Sequence, residues 1–249
     1  MIRLIVAEDY NELSQKAAQM VSNQLHQKPD SVIGFATGST PLGLYEQLVK
    51  MYQDQQVSFG QVTSFNLDEY IGLSNNHPQS YYRFMWDHLF SQVDMDEKRI
   101  NFPSVIFMEE TGFCHRYEEQ IAEAGGIDLQ ILGIGVNGHI GFNEPGDTFT
   151  LPTHIVKLAE ETIHANARFF EDEQEVPRKA ITMGIRSIMQ ARSILLLANG
   201  ENKAEAIQKM FSEKADPHIP ASILQLHPDV TLIVDKAAAA ALLHEHGSI

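Results

Sequence analysis

Short apolar runs alternate along this chain with longer stretches in which apolar residues recur every three or four positions. Each run is nearly free of polar residues, which is typical of strands buried on both faces of a parallel sheet. The pattern therefore predicts strands at residues 31–36, 62–67, 128–134, 193–198 and 230–235.

The segments between these runs have helical periodicity, and the last of them is rich in alanine, the strongest helix former. Helices are predicted at residues 10–26, 42–53, 79–91, 113–124, 201–212 and 236–245. Strands that alternate with helices indicate an α/β fold with three αβα layers around a doubly wound, mostly parallel sheet, similar to a modified Rossmann fold. No repeat, linker or change in composition divides the chain, so residues 1–249 are expected to form a single domain.

Charge and composition narrow the range of partners. The chain has 18 Lys and Arg against 33 Asp and Glu, a formal net charge of −15. Nucleic acids and anionic membranes bind basic surfaces, so neither is expected as a partner, and an anionic small molecule would need a locally basic pocket. The single cysteine, Cys114, cannot form an intramolecular disulfide, and no signal peptide or membrane-spanning run is visible. A cytoplasmic location is expected.

The first candidate motif follows the strand at 31–36, at the end where parallel sheets bind ligands. It is a loop of Thr37, Gly38, Ser39 and Thr40. Small and hydroxyl-bearing residues in front of a helix offer free N–H groups and side-chain donors to a phosphate. The alternative is a helix start that binds no ligand. The loop is not a Walker A motif, because no Gly-Lys-Ser/Thr follows.

Two carboxylates, Asp68 and Glu69, come directly after the strand at 62–67. A carboxylate at the end of a buried strand is well placed to project into a catalytic cleft. Aspartate at the start of a loop is also a common turn former or helix cap. The sequence leaves both interpretations open.

The stretch "GIGVNGHIGFNEPG", residues 133–146, contains the glycine spacing G-x-G-x-x-G of dinucleotide-binding loops. Such a loop should lead straight into a helix. Here Pro145 and Gly146 follow within two turns and would break one. We therefore reject the dinucleotide interpretation, and no organic cofactor is expected.

The same loop carries His139 and Glu144, which are residue types that move protons, and Asn137, whose amide can hydrogen-bond to the histidine. Histidine titrates near neutrality, a carboxylate beside it can orient the ring and stabilise its cation, and a direct hydrogen bond from the amide of Asn137 could fix its tautomer. A structural histidine that only satisfies hydrogen bonds of the loop is the main alternative. A metal site is a further one, but the sequence has no H-x-x-x-H or comparable ligand spacing, so no metal is expected.

Two basic residues complete the set. Lys203 falls in the first turn of a predicted helix, where a cation opposes the helix dipole and suggests a nearby anion. Arg168 lies in "ANARFF" and has acidic residues close by at Glu171 and Asp172. A solvated lysine and a surface ion pair of Arg168 are the alternatives.

Several stretches together resemble the glucosamine-6-phosphate deaminase family, in the same order and spacing over nearly the whole chain. They are "ATGSTPLGLY", "SFNLDEYIGL" followed by "HPQSYYRFM", "GIGVNGHIGFNEPG", "ANARFF" and "LQLHP". The related 6-phosphogluconolactonases share the fold and a Gly-His loop but lack the Phe-Asn-Glu-Pro present here. The resemblance implies conversion of D-glucosamine 6-phosphate and water to D-fructose 6-phosphate and ammonia, without metal or cofactor.

The resemblance also implies a role for each matching residue. Asp68 would be the base that moves a proton from C2 to C1, and His139 would open the sugar ring with support from Glu144 and Asn137. Part of the family has aspartate in place of Asn137. The substrate phosphate would be held by Thr37, Gly38, Ser39, Thr40, Arg168 and Lys203. A mobile lid would span roughly 150–182. Alternatives on the same fold are a phosphosugar lactonase or isomerase, or a non-catalytic sugar-phosphate sensor.

One branch of the resembled family is hexameric and is activated by N-acetylglucosamine 6-phosphate. Its effector phosphate meets a serine, an arginine and a lysine downstream of Asn-Glu-Pro. An ungapped comparison from Glu144 places Asp147, His154 and Val156 at these positions. Aspartate would repel a phosphate and valine offers it no charge. We therefore expect a monomer or small homo-oligomer, not a hexamer, with no activation by this effector.

Overall fold

The structure, a computed structural model, describes residues 2–103, 110–158, 175–212 and 214–246. Ten strands lie in this part of the chain. They are β1 Arg3–Ala7, β2 Val32–Phe35, β3 Thr63–Asn66, β4 Asp68–Tyr70, β5 Ile100–Asn101, β6 Leu129–Gly133, β7 His154–Lys157, β8 Lys179–Thr182, β9 Ser193–Ala198 and β10 Val230–Asp235.

The helices of the described residues lie between these strands. They are α1 Tyr10–Gln27, α2 Leu42–Gln53, α3 Tyr81–His88, α4 Glu110–Glu123, α5 Ile185–Met189, α6 Ala204–Met210 and α7 Lys236–His246. In the part of the chain that is described, no helix is both long and apolar enough to cross a membrane.

Seven strands form one sheet in the order β1-β10-β9-β6-β2-β3-β5, and every neighbouring pair is parallel. The prediction of an α/β fold with a mostly parallel sheet is confirmed. All the predicted strands lie in this sheet, as β2, β3, β6, β9 and β10. The edge strands β1 and β5 were not predicted, because a continuous apolar run marks only strands that are buried on both faces.

Alternate residues of the central strands point into two separate cores. Ile33 and Leu195 pack on one face against α1, α2 and α3, whereas Val32 and Leu196 pack on the other face against α4, α5, α6 and α7. These two helical layers produce the predicted αβα arrangement.

The strand order creates a crevice between β2 and β6. From β2 the chain continues to β3 and β5 on one side of the sheet, while β6 pairs with the other side of β2. The loops that leave the carboxyl ends of β2 and β6 therefore diverge, and such a switch point is where open α/β sheets bind ligands. These two loops are the ones that carry Thr37–Thr40 and the glycine-rich stretch.

A second sheet lies above this crevice and was not predicted. Only Leu67 separates β3 from β4, and β4 pairs antiparallel with β8, which pairs antiparallel with β7. The predicted lid at 150–182 thus contains β7 and β8, while residues 159–174 and Arg168 with them lie outside the described residues. The mobility of the lid and the single-domain organisation remain predictions.

Candidate active site

A cavity of about 330 Å³ opens at the carboxyl ends of β2, β3 and β6. Its lining includes most of the predicted site residues: Thr37, Gly38, Ser39, Thr40, Asp68, His139 and Lys203. A larger cavity of about 690 Å³ lies near the amino ends of β2 and β3, but no acidic, lysine or arginine side chain lines it. The chemistry-bearing residues therefore converge on the smaller cavity.

The loop Thr37–Thr40 presents unpaired backbone donors at one end of this cavity. Within the described residues, the N–H groups of Gly38, Ser39 and Thr40 donate to no other group. Gly38 has a φ of 107°, a conformation that glycine adopts without strain. Thr40 Oγ1 donates to Asn199 Oδ1 at 2.7 Å, which ties the loop to the end of β9. Free N–H groups just before a helix are suited to holding a phosphate.

Lys203 faces the same cavity from the loop that follows β9. It lies in a short 3₁₀ turn, and half-burial lowers the pKa of its ammonium group. No carboxylate of the described residues lies within ion-pair distance of it. Gly200, at the start of the turn, donates its N–H to both oxygens of Asp235 at 3.1 and 3.0 Å. The turn is thus held in place, and its lysine charge is available to an anion.

Asp68 is the first residue of β4 and pairs with Thr182 of β8. Its side chain reaches the cavity, although the residue is only 6% exposed. Burial, followed by the neighbouring charge of Glu69, raises the pKa of Asp68 from 3.8 to about 8. No donor of the described residues bonds to its carboxylate. An aspartate in this state is a much stronger base than an exposed one.

Three aromatic rings pack together at the cavity that Asp68 reaches. Tyr81 lines the cavity and stacks on Phe142, with their ring planes 3° apart and their centroids 6.2 Å apart. Tyr70 packs against both rings. The sequence contained Tyr81 within the family motif "HPQSYYRFM", but nothing in its spacing showed that it meets Asp68 and Phe142.

Glu69 points away from the cavity, so the structure separates the two adjacent carboxylates. Its oxygens accept the backbone N–H groups of Tyr70, Tyr81 and Tyr82 at 2.8, 2.9 and 2.8 Å. Two of these donors belong to the first turn of α3, where a carboxylate also opposes the helix dipole favourably. Burial raises the pKa of Glu69, and these hydrogen bonds oppose the effect. Glu69 therefore attaches α3, and Tyr81 with it, to the strand that carries Asp68.

His139, Glu144 and Asn137 form one cluster at the other wall. His139 Nδ1 lies 3.1 Å from Glu144 Oε1. This contact is an ion pair when the ring is protonated. Burial of Glu144 would raise its pKa. The contact with His139 and its charge, together with the hydrogen bond from Asn137, outweigh burial and lower the pKa of Glu144.

Asn137 supports the ring indirectly. Its Nδ2 donates to Glu144 Oε2 at 2.8 Å, and its Oδ1 accepts the backbone N–H of His139 at 3.2 Å. A direct bond from the amide to the imidazole, which the sequence suggested, is not formed. The reason is local, since an asparagine oxygen readily bonds to a backbone N–H two residues ahead.

Two glycines of the loop serve to seat His139. The imidazole lies against Gly135, where an added Cβ would be 2.3, 2.4 and 2.5 Å from Cε1, Nδ1 and Nε2 of the ring. Gly138 has a φ of 88° and donates its N–H to Gly135 O at 3.0 Å, which closes the turn. The glycine spacing that suggests a nucleotide loop thus provides room for a histidine ring. No helix follows it within 139–158.

Strand β8 holds the two walls of the cavity together. Thr182 pairs with Asp68 and accepts the N–H of Phe142 at 3.1 Å. Met183 donates to Leu67 O at 2.8 Å and accepts from Asn143 Nδ2 at 2.9 Å. The spacing between the strand of Asp68 and the loop of His139 is therefore fixed by backbone bonds on the Asp68 side and by the side chains of Thr182 and Asn143 on the His139 side. In the described residues, no group of three or more His, Cys, Asp and Glu side chains is placed to hold a metal ion.

A parallel sheet with free N–H groups, a lysine and separate acid–base side chains at its switch point is the arrangement of an α/β protein that binds a small anionic ligand there. Residues 7–233 match the family described as glucosamine-6-phosphate isomerases/6-phosphogluconolactonase, and the chain belongs to this family. Among its relatives is a protein of Clostridium novyi (strain NT) named glucosamine-6-phosphate deaminase. The two sequences are 54% identical over 241 residues, which is 97% of this chain and 100% of that one.

Solved structures show the same fold. One, described as a monomeric glucosamine-6-phosphate deaminase, has a TM-score of 0.92 and 44% identity, and the match covers 96% of this chain and 100% of that chain. The 6-phosphogluconolactonase of Thermotoga maritima has a TM-score of 0.73 and 20% identity, with 95% and 99% of the two chains covered. At that identity the likeness extends to the fold alone.

Proposed function

We propose that this protein converts D-glucosamine 6-phosphate and water to D-fructose 6-phosphate and ammonia, without a metal or an organic cofactor. The observation that carries the proposal is the convergence of Asp68 and His139 on one cavity that is also lined by Lys203 and by the loop with the free N–H groups of Gly38, Ser39 and Thr40. Two proton-transfer groups and an anion site match the demands of isomerising a sugar phosphate. The relatives named as glucosamine-6-phosphate deaminases support the same activity.

Ring opening is assigned to His139. The imidazole accepts the proton of the anomeric hydroxyl and returns a proton to the ring oxygen, which breaks the bond between C1 and that oxygen and yields the open-chain aldehyde. Glu144, kept ionised by its lowered pKa, stabilises the imidazolium that forms between the two transfers. Asn137 adds no charge of its own but fixes the orientation of Glu144.

Isomerisation is assigned to Asp68. Its carboxylate removes the proton from C2, the electrons of that bond form the C1–C2 double bond of an enolamine, and O1 takes up a proton. Return of the proton from Asp68 to C1 gives a protonated imine at C2. Water adds to this carbon, and loss of ammonia and a proton leaves the ketone of fructose 6-phosphate. Catalysis by a general base is most effective when its pKa is near the working pH, and the pKa of about 8 meets this condition.

Phosphate binding is assigned to Thr37, Gly38, Ser39 and Thr40 together with Lys203, and to Arg168 from the family resemblance. Binding energy from the phosphate positions C1 and C2 against the two proton-transfer groups. The negative net charge of the protein does not oppose this, because the local groups at the loop are N–H donors and an ammonium.

A direct assay tests the proposal. Purified protein treated with chelator is expected to release ammonia from glucosamine 6-phosphate, together with fructose 6-phosphate, and to release none from unphosphorylated glucosamine at the same concentration. Hydrolysis of 6-phosphogluconolactone serves as the control for the related lactonase activity. Activity that disappears with chelator and returns with a divalent ion would contradict the cofactor-free mechanism. Sugar-phosphate binding without turnover would indicate a sensor.

We further propose a cytoplasmic monomer or small homo-oligomer without allosteric activation. Asp147 is fully exposed and lies 3.6 Å from His218, whereas Val156 packs against an apolar cluster. Neither position offers a cation to an effector phosphate, and allostery needs a second site that binds its effector differently in two states. Velocity is expected to depend hyperbolically on substrate and to be unchanged by N-acetylglucosamine 6-phosphate. A hexamer by light scattering, or a sigmoidal curve that the effector makes hyperbolic, would refute this.

A further inference from the structure

The side chain of Tyr10, the first residue of α1, contacts the loop Thr37–Thr40. The hydroxyl of Tyr10 donates to Ser39 O and to Thr40 O, each at 3.0 Å, and accepts the N–H of Gly43 at 2.8 Å. A phenol has a single hydrogen, so the two carbonyls share it while a lone pair of the oxygen takes the N–H. One hydroxyl thus joins the loop Thr37–Thr40 to the first turn of α2.

These bonds fix the direction of the peptide groups in the loop. In a planar trans peptide, the C=O and the following N–H point in opposite directions. With Ser39 O held toward Tyr10, the N–H of Thr40 points to the other side of the loop. The carbonyl of Thr40 is followed by Pro41, whose nitrogen carries no hydrogen. Its bond to Tyr10 therefore orients no N–H group, and its effect is to direct the partial negative charge of the Thr40 oxygen away from the cavity. Both effects favour an anion in the cavity.

The position of Tyr10 is set by close packing of the two helices. A Cβ at Gly43 would lie 2.3 Å from Ser14 Oγ and 3.1 Å from Tyr10 Cε1, so α1 and α2 approach more closely there than an alanine allows. Ser14 Oγ also donates to Tyr10 O at 2.7 Å. The backbone of Tyr10 is therefore fixed by packing, and the side chain loses little conformational freedom when its hydroxyl bonds to the loop.

We propose that Tyr10 is a positioning residue for phosphate binding. Its hydroxyl holds the carbonyls of Ser39 and Thr40 away from the cavity, so that the loop is already arranged to receive a phosphate before one binds. Tyr10 touches no reacting atom. The inference rests on the proposed function in one respect only, the assignment of Thr37–Thr40 as the phosphate loop.

Tyr10→Phe tests this proposal because it removes the hydroxyl and keeps the ring. Inorganic phosphate, titrated calorimetrically, is expected to bind the variant about three- to tenfold more weakly, the effect of losing one ordinary hydrogen bond. KM for glucosamine 6-phosphate is expected to rise by the same factor, with kcat within about twofold of the wild type. Tyr52→Phe is the matched control, since in the described residues the hydroxyl of Tyr52 has no hydrogen-bond partner.

Each result separates the alternatives. Both measurements are made well below the melting temperature of the variant, where it is fully folded, so that a loss of stability in Tyr10→Phe does not change the apparent Kd or KM. Unchanged phosphate affinity and KM in a variant that melts earlier would show a purely structural role and overturn the proposal. A fall in kcat at unchanged KM would overturn it as well. Failure of the wild type itself to bind phosphate would instead overturn the assignment of the loop, and with it the phosphate site of the proposed function.

Discussion

Asp68→Asn is expected to lower the rate of ammonia release from glucosamine 6-phosphate by at least about 10²-fold, the usual contribution of a positioned general base. The side chain keeps its size, so the cavity and the phosphate loop should be unaffected and inorganic phosphate should still bind. Exchange of the C2 proton with solvent should be lost to the same extent. The measurement is steady-state turnover together with deuterium exchange at C2.

The same substitution is expected to stabilise the folded protein at alkaline pH. The pKa of Asp68 is about 8 in the folded state against 3.8 as its ordinary value. Between these pH values the folded protein holds a proton that the unfolded chain has released, so the wild type loses stability as the pH rises from about 4 to about 8. Asparagine does not titrate. Each pKa unit corresponds to about 1.4 kcal/mol, which makes the variant more stable at pH 8 by on the order of a few kcal/mol.

Urea unfolding at pH 4.5 and at pH 8 measures this difference, which should be small at the first pH and large at the second. Asp30→Asn is the control, because Asp30 is exposed and lies at the amino end of β2, away from the cavity, so turnover should not change. If Asp68→Asn retained more than about a tenth of wild-type turnover, another group would have to take the C2 proton.

Gly135→Ala is expected to give the other large loss, about 10²-fold in kcat/KM for the cyclic substrate. The new Cβ would come within 2.5 Å of three ring atoms of His139. The φ of Gly135 is one that alanine can adopt, so the backbone can stay and the imidazole has to move. A displacement of about 1 Å is enough to cost this factor in a proton-transfer geometry, and it would also break the contact with Glu144.

The expected defect is confined to ring opening. Binding of a linear reduced analogue, 2-amino-2-deoxyglucitol 6-phosphate, should be close to that of the wild type. Gly146→Ala is a matched control in the same loop, where the nearest atom to an added Cβ is Glu144 O at 4.0 Å. Equal activity of Gly135→Ala and Gly146→Ala would mean that the position of the imidazole does not limit the reaction.

Two carboxylates of the cavity region are held in opposite states by their surroundings. Asp68 is buried beside the charge of Glu69, and its pKa is raised. Glu144 contacts His139 and Asn137, and its pKa is lowered. Groups whose environments push their pKa values apart are suited to different tasks in acid–base catalysis. The first can take and return a proton near neutral pH, and the second stays charged to support a cation.

Much of the fold follows from the sequence because burial on both faces leaves a clear pattern. The apolar runs at 31–36 and 193–198 correspond to β2 and β9, and the helix predicted at 42–53 has the bounds of α2. Edge strands and the small antiparallel sheet were missed. Strand β5 has two residues and β4 three, and their pairing depends on residues far away in the chain, which no local pattern records.

For the candidate site, too, the sequence predicts some features and only the tertiary structure decides the others. The sequence by itself determined which residue types stand at the strand ends, among them Asp68, His139 and Lys203, and that the glycine-rich loop does not lead into a helix. It left Asp68 and Glu69 equivalent, and it suggested a direct bond from Asn137 to the imidazole. Only the tertiary structure directs Glu69 to α3 and Asp68 to the cavity, and brings the hydroxyl of Tyr10 to the loop Thr37–Thr40. The physical reason is that a residue type fixes what a group can do, whereas its burial, partners and pKa are set by neighbours that folding brings together from distant parts of the chain.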